Sequence, residues 1–195
     1  DRRRRVSERS VPKRAPAGAT ADAASKNAAN AVHTLDVIVQ AATVDLFRAY
    51  GLAMAPMPKR ATGCALGRPG DFVGCIRFSG SGVHGTLWLV LSPQIVQQTR
   101  AWEMRVSQAI DWTRELVNQL MGRLKNRFLR YQVHVEVELA SASVRAGSIF
   151  FDRGDLYPFR TLRGEVAVIL ASSLEGARFV YSTAEVGNEG DVVLF

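Results

Sequence analysis

Between Ala31 and Tyr50 the apolar side chains recur at the spacing of one helix face, at Val32, Leu35, Val39, Ala42 and Leu46. Gly51 follows as a helix stop. The pattern then shifts to runs suited to strands. A strand-like stretch is predicted near Leu52–Ala61. Phe72–Phe78 and Val83–Leu91 read as two strands joined across Ser79–Gly82 in a hairpin. Ser92 and Pro93 predict a short helix, with Ser92 as N-cap and Pro93 at the first helical position. A long helix is predicted from about Val106 to Arg130. Beyond it Tyr131–Leu139, Ser143–Phe150, Gly164–Ala171 and Ala177–Ser182 are all strand-like. The order suggests two related halves, although no residue-level repeat is visible. Runs of strands between a few helices predict an α+β domain, an α/β two-layer arrangement with helices packed on one face of the sheet.

The long helix has two distinct faces. At the helical period Leu116, Val117, Leu120, Met121, Leu124 and Phe128 fall on one side and predict a core-facing stripe. Glu115, Asn118, Gly122, Lys125 and Asn126 fall on the other, and Asp111 joins them a turn earlier. Glycine inside a helix costs about 1 kcal/mol relative to alanine. Asparagine is also poor there, because its amide competes for backbone bonds. Two such residues on one solvent face have two open explanations. Another molecule approaches at Gly122 and uses the Asn118 amide, or the face is merely solvated and Gly122 packs against a neighbour.

Charge and composition narrow the class. The net charge of +7 sits mostly in residues 1–30, which hold eight basic and three acidic groups and leave only +2 for the rest. That segment is rich in Arg, Ala, Ser and Pro, with Val6 and Val11 its only larger apolar residues, and is read as a flexible basic tail or linker. Residues 31–195 are read as one folded domain. No apolar run is long enough to span a bilayer, and no apolar segment backs the Arg run as a secretory signal would require. A chain starting at Asp1 rather than Met points to a fragment of a longer protein. Cys64 and Cys75 are too few for a disulfide framework and read as reduced thiols of a cytoplasmic protein.

Several motifs fail on physical grounds. Gly80–Gly85 matches G-x-G-x-x-G, but phosphate binding there needs a helix N-terminus, whereas Thr86–Leu91 is an apolar β-prone run. The glycines suit a tight hairpin instead. His33, His84 and His134 are scattered without a second ligand at metal spacing, so no metal site is predicted. No nucleophile elbow is present, and neither cysteine has a neighbouring histidine.

The stretch Glu115–Asn126 resembles the active helix of the CheX and CheC chemotaxis phosphatases, a family that also includes FliY. Their signature is Asp or Ser, three residues, Glu, two residues, Asn, with a later Pro; Asp111, Glu115 and Asn118 match it. Gly74–Gly80, Gly85–Leu89 and Val135–Gly147 resemble the family's flanking strands, so the similarity spans about residues 32–185. The first helix has no E-x-x-N pair, which resembles the CheX branch with its single active helix and homodimeric state. One departure stands out: Ser141 lies about where the family has its proline.

The resemblance implies a CheC/CheX-like, antiparallel-rich sheet and an aspartyl-phosphate phosphatase acting on a phosphorylated CheY-like receiver in chemotaxis or two-component signalling. Glu115 and Asn118 would be catalytic, with Asn118 holding a water and Glu115 pairing with the receiver's lysine. Asp111, Gly122 and Lys125 would contact the partner. The chain would need no cofactor of its own, because the receiver carries Mg²⁺. Two other readings stay open. One is a non-catalytic dimerisation or receiver-docking module, favoured by Ser141; the other is a nucleic-acid or anionic-surface binder working through Arg2–Arg5, which the small charge of the folded part disfavours.

Overall fold

A computed structural model describes residues 17–61, 63, 65–80, 82–100, 103–174 and 179–181. Alternation along the strands sets the architecture. In β4 (Phe72–Gly80), Phe72, Ile76 and Phe78 face one way and Val73 the other. In β5 (Val83–Leu91), Val83, Leu87, Leu89 and Leu91 share that first face, and Trp88 and Val90 the second. In β10 (Glu165–Ser173), Val166, Val168 and Leu170 alternate with Ala167 and Ile169 in the same sense. A period of two delivers one apolar face per side. The first face carries the main core under the helices, and the second carries a smaller cluster with Phe151 and Leu156.

The helices are α1 (Ala17–Arg48), α2 (Pro93–Gln98) and α3 (Val106–Leu129). Leu35, Ile38, Val39, Ala42, Leu46 and Phe47 of α1 join Leu116, Val117, Leu120, Met121, Leu124 and Phe128 of α3 in the main core. The remaining strands are β1 (Ala55–Pro56), β2 (Arg60–Ala61), β3 (Ala65–Leu66), β6 (Glu136–Val137), β7 (Ser141–Val144), β8 (Ile149–Phe150) and β9 (Asp155–Arg160). The main sheet runs β1-β9-β10-β5-β4-β6, with β2 beside β9 and β7 beside β4; β3 and β8 form a separate pair. Every pairing among the described residues is antiparallel. The two-layer α+β reading and its helix-covered, antiparallel sheet therefore hold.

Both α1 and α3 end in the same backbone device. Gly51 adopts φ 74°, its N–H donates to the Arg48 carbonyl at 2.9 Å, and the Leu52 N–H reaches back to Phe47 at 3.0 Å. These are the paired bonds of a Schellman closure, which satisfies the last helical carbonyls. At the end of α3, Gln132 takes the left-handed position with φ 58°, and Val133 N–H donates to the Phe128 carbonyl at 3.0 Å.

Several expectations differ from the structure. Residues 17–30, assigned to the flexible tail, continue α1, because an alanine-rich segment has high helix propensity and extends a helix already anchored in the core. Residues 1–16 lie outside those described, as does Cys64. The stretch Leu52–Ala61 holds only β1 and β2, since Pro58 between them has no N–H to give a ladder. Of Tyr131–Leu139 only Glu136–Val137 is strand, because the α3 closure consumes Tyr131–Val133. Ser143–Phe150 splits into β7 and β8 around residues 145–148. Half of Ala177–Ser182 lies outside the described residues, and 179–181 are not strand.

Candidate functional site

The inner face of α3 is fixed by packing, and the outer face is left to solvent. Leu116, Val117, Leu120, Met121, Leu124 and Phe128 are all buried as the periodicity predicts. Val117 sits over Gly74 of β4, where there is no side chain to hold the helix away. The remaining stripe points to solvent. Asp111, Glu115, Asn118 and Gly122 are exposed, and Lys125 is half-buried. At 100° per residue these positions fall within an arc of about 80°.

The stripe is not uniform. Asp111 accepts from Arg114 Nη2 at 2.8 Å, an exposed pair within one turn. Glu115 Oε1 accepts from Gln119 Nε2 at 2.9 Å, and Gln119 Oε1 accepts from the Tyr50 hydroxyl at 2.7 Å. The Asn118 amide has no hydrogen-bond partner among the described residues. A Cβ added at Gly122 would meet nothing within 4 Å. Packing against another part of the chain therefore does not account for this mid-helix glycine among the described residues.

At the N-terminal end of the stripe a cavity of about 230 Å³ is lined by Arg100, Met104, Gln108, Asp111, Trp112 and Glu115. Trp112 forms its wall. Its Nε1 donates to Thr99 Oγ1 at 2.7 Å, the Arg100 guanidinium stacks 4.1 Å from its ring centroid, and Tyr50 meets it edge-on at 5.5 Å. Sequence reasoning missed Tyr50, Arg100, Trp112 and Gln119. The Glu115–Gln119 spacing of one turn was a usable signal; the meeting of Tyr50 with Gln119 was not, since it depends on how α1 crosses α3.

Other predicted positions resolve plainly. The Gly80–Gly85 segment lies in and around the β4–β5 hairpin, with Gly80 paired to Val83, so no helix follows it. Among the described residues no group of three or more His, Cys, Asp or Glu side chains is placed to hold a metal ion, and no helix is long and apolar enough to cross a membrane. Cys75 is a free thiol, and burial pushes its pKa up, against the pull of Arg77. Ser141 opens β7 opposite Cys75. β7 lies off the main strand path, so this is a strand start that a proline can occupy.

No family model and no curated protein matches the chain. Solved structures do. A CheC-like superfamily protein from Shewanella sp. PV-4 superposes with TM-score 0.64 at 14% identity, over 72% of this chain and 97% of that one. The chemotaxis protein CheX from Desulfovibrio desulfuricans gives TM-score 0.61 at 15% identity, over 71% and 99%. CheX from Borrelia burgdorferi, in a CheX–CheY–BeF3–Mg²⁺ complex, gives TM-score 0.50 at 11% identity, over 73% and 97%. The layered helices, the antiparallel sheet and these superpositions agree that the chain has the fold of the CheC-like and CheX chemotaxis proteins.

Proposed function

We propose that this chain is a phosphatase for the aspartyl phosphate of a CheY-like response regulator, with the exposed stripe of α3 as its working surface. The observation that carries the reading is the pairing of Glu115 with an untied Asn118 on the outer face of a helix whose inner face is locked into the core. The existence of a CheX–CheY–BeF3–Mg²⁺ complex within the same fold supports a receiver as the partner.

The receiver supplies the phosphorylated aspartate, a lysine and the Mg²⁺. Water attacks phosphorus, the bond from phosphorus to the aspartyl oxygen breaks, and inorganic phosphate and a free carboxylate result. In such transfers the catalyst contributes positioning and electrostatics. The Asn118 carboxamide both accepts and donates, so it holds the attacking water in line. Glu115 pairs with the receiver's lysine and sets the docking register. Gly122 leaves room for the receiver's backbone one turn further along, and Asp111 and Lys125 flank the contact. The reading also takes the chain to act as a cytoplasmic homodimer. Its test is the rate at which phosphate leaves phosphorylated receivers in the presence of the chain and of its Asn118→Ala form.

A further inference from the structure

We infer that Tyr50 and Gln119 are positioning residues that set the Glu115 carboxylate before a partner arrives. This inference rests on the proposed role of Glu115 in receiver docking.

The geometry leaves Gln119 one orientation. A carboxylate only accepts, so the Gln119 Nε2 must face Glu115, as its 2.9 Å contact with Oε1 requires. That turns Gln119 Oε1 toward Tyr50, whose hydroxyl donates to it at 2.7 Å. A Gln–Glu pair one turn apart on a helix is weak by itself. Here a third member, 69 residues away in sequence, holds the amide from its other end and keeps Nε2 aimed at the carboxylate. Tyr50 is itself held twice. The Gly51 closure fixes its backbone at the end of α1, and its ring packs edge-on against Trp112 at 5.5 Å. Gln119 occupies only Oε1 of Glu115, which leaves Oε2 for a cation from outside. Among the described residues the adjacent Asn118 has no comparable tether, so of the two only the docking carboxylate is held there.

The test uses the full chain and a Mg²⁺- and BeF3-loaded CheY-like receiver domain. Affinity is measured for wild type, Tyr50→Phe, Gln119→Leu and Glu115→Ala, and for Tyr50→Phe combined with Glu115→Ala. Tyr50→Phe keeps the ring against Trp112 and removes only the hydroxyl. The relay predicts roughly three- to tenfold weaker binding for Tyr50→Phe, the worth of one hydrogen bond, and no further loss when Glu115 is already alanine. The Gln119 side-chain amide resonances of the free chain should shift on Tyr50→Phe and on Glu115→Ala. An equal loss from Tyr50→Phe in both backgrounds means a structural role and overturns the inference. So does full affinity in Tyr50→Phe when Glu115→Ala binds weakly. If Glu115→Ala also binds like wild type, the docking role of Glu115 fails, and the relay's purpose falls with it.

Discussion

Val117 of α3 rests directly on Gly74 of β4: a Cβ at position 74 would stand 2.9 Å from the Val117 Cβ and 3.2 Å from the Thr113 carbonyl oxygen. Thr113 and Val117 are the inner-face residues behind Glu115 and Asn118. The missing side chain lets α3 bed onto the sheet, and that contact sets the height of the exposed face. Gly74→Val should destabilise the chain by about 1–3 kcal/mol through overpacking, read as a lower urea midpoint at unchanged slope. An unchanged midpoint would mean that α3 is not seated on Gly74.

Gly122 lies on the opposite side of the same helix, and no described residue occupies its Cβ position. Gly122→Ala should therefore stabilise the free chain by roughly 0.8–1 kcal/mol, the difference in helix propensity. The same methyl group should obstruct a receiver lying against the helix and weaken its binding. Stabilisation without loss of binding would remove the close approach from the account.

A charged cluster joins α1 to the far edge of the sheet. Lys59 Nζ lies 2.8 Å from Asp36 Oδ2 and 3.4 Å from Asp155, and the Tyr157 hydroxyl donates to Asp36 at 2.7 Å. Burial works to lower the Lys59 pKa, but Asp36 and Asp155 outweigh it and raise it above 10.5. Burial, then Asp36, raises Tyr157 well above its ordinary 10.0. In both cases the folded chain holds a proton that the unfolded chain releases, so stability falls as pH rises. The contribution of both groups should be complete below about pH 10 and decline above it. Tyr157→Phe should lower stability at neutral pH, through the lost bond to Asp36, and flatten the alkaline decline, as urea midpoints across pH would record.

Much of this was legible in the sequence because periodicity reports burial directly. The inner stripe of α3, the β4–β5 hairpin and the solvent position of Glu115 and Asn118 all follow from a spacing of 3.6 or 2 residues. Strand β9 was not legible, because Pro158 in its middle argues against a strand; in the fold it sits opposite Ala167 and its carbonyl accepts from Met57. The extension of α1 back to Ala17 was hidden because its residues lack the large apolar side chains that mark a helix face. The link from Tyr50 through Gln119 to Glu115 was hidden for a different reason. It joins α1 to α3, and only tertiary packing brings the two together.

The central claim is tested most directly by the decay of phosphate from a panel of phosphorylated receiver domains, alone, with this chain and with Asn118→Ala. The account predicts faster decay of one receiver with the intact chain. It predicts a loss of roughly 10²-fold with Asn118→Ala, the scale of a misplaced reactant. The folded stability of that variant should stay within about 0.5 kcal/mol of wild type, as for other surface substitutions. Unchanged decay across the panel despite demonstrable binding would contradict catalysis and leave a docking module, with Ser141→Pro the first change to try. Full activity in Asn118→Ala would remove Asn118 from the chemistry.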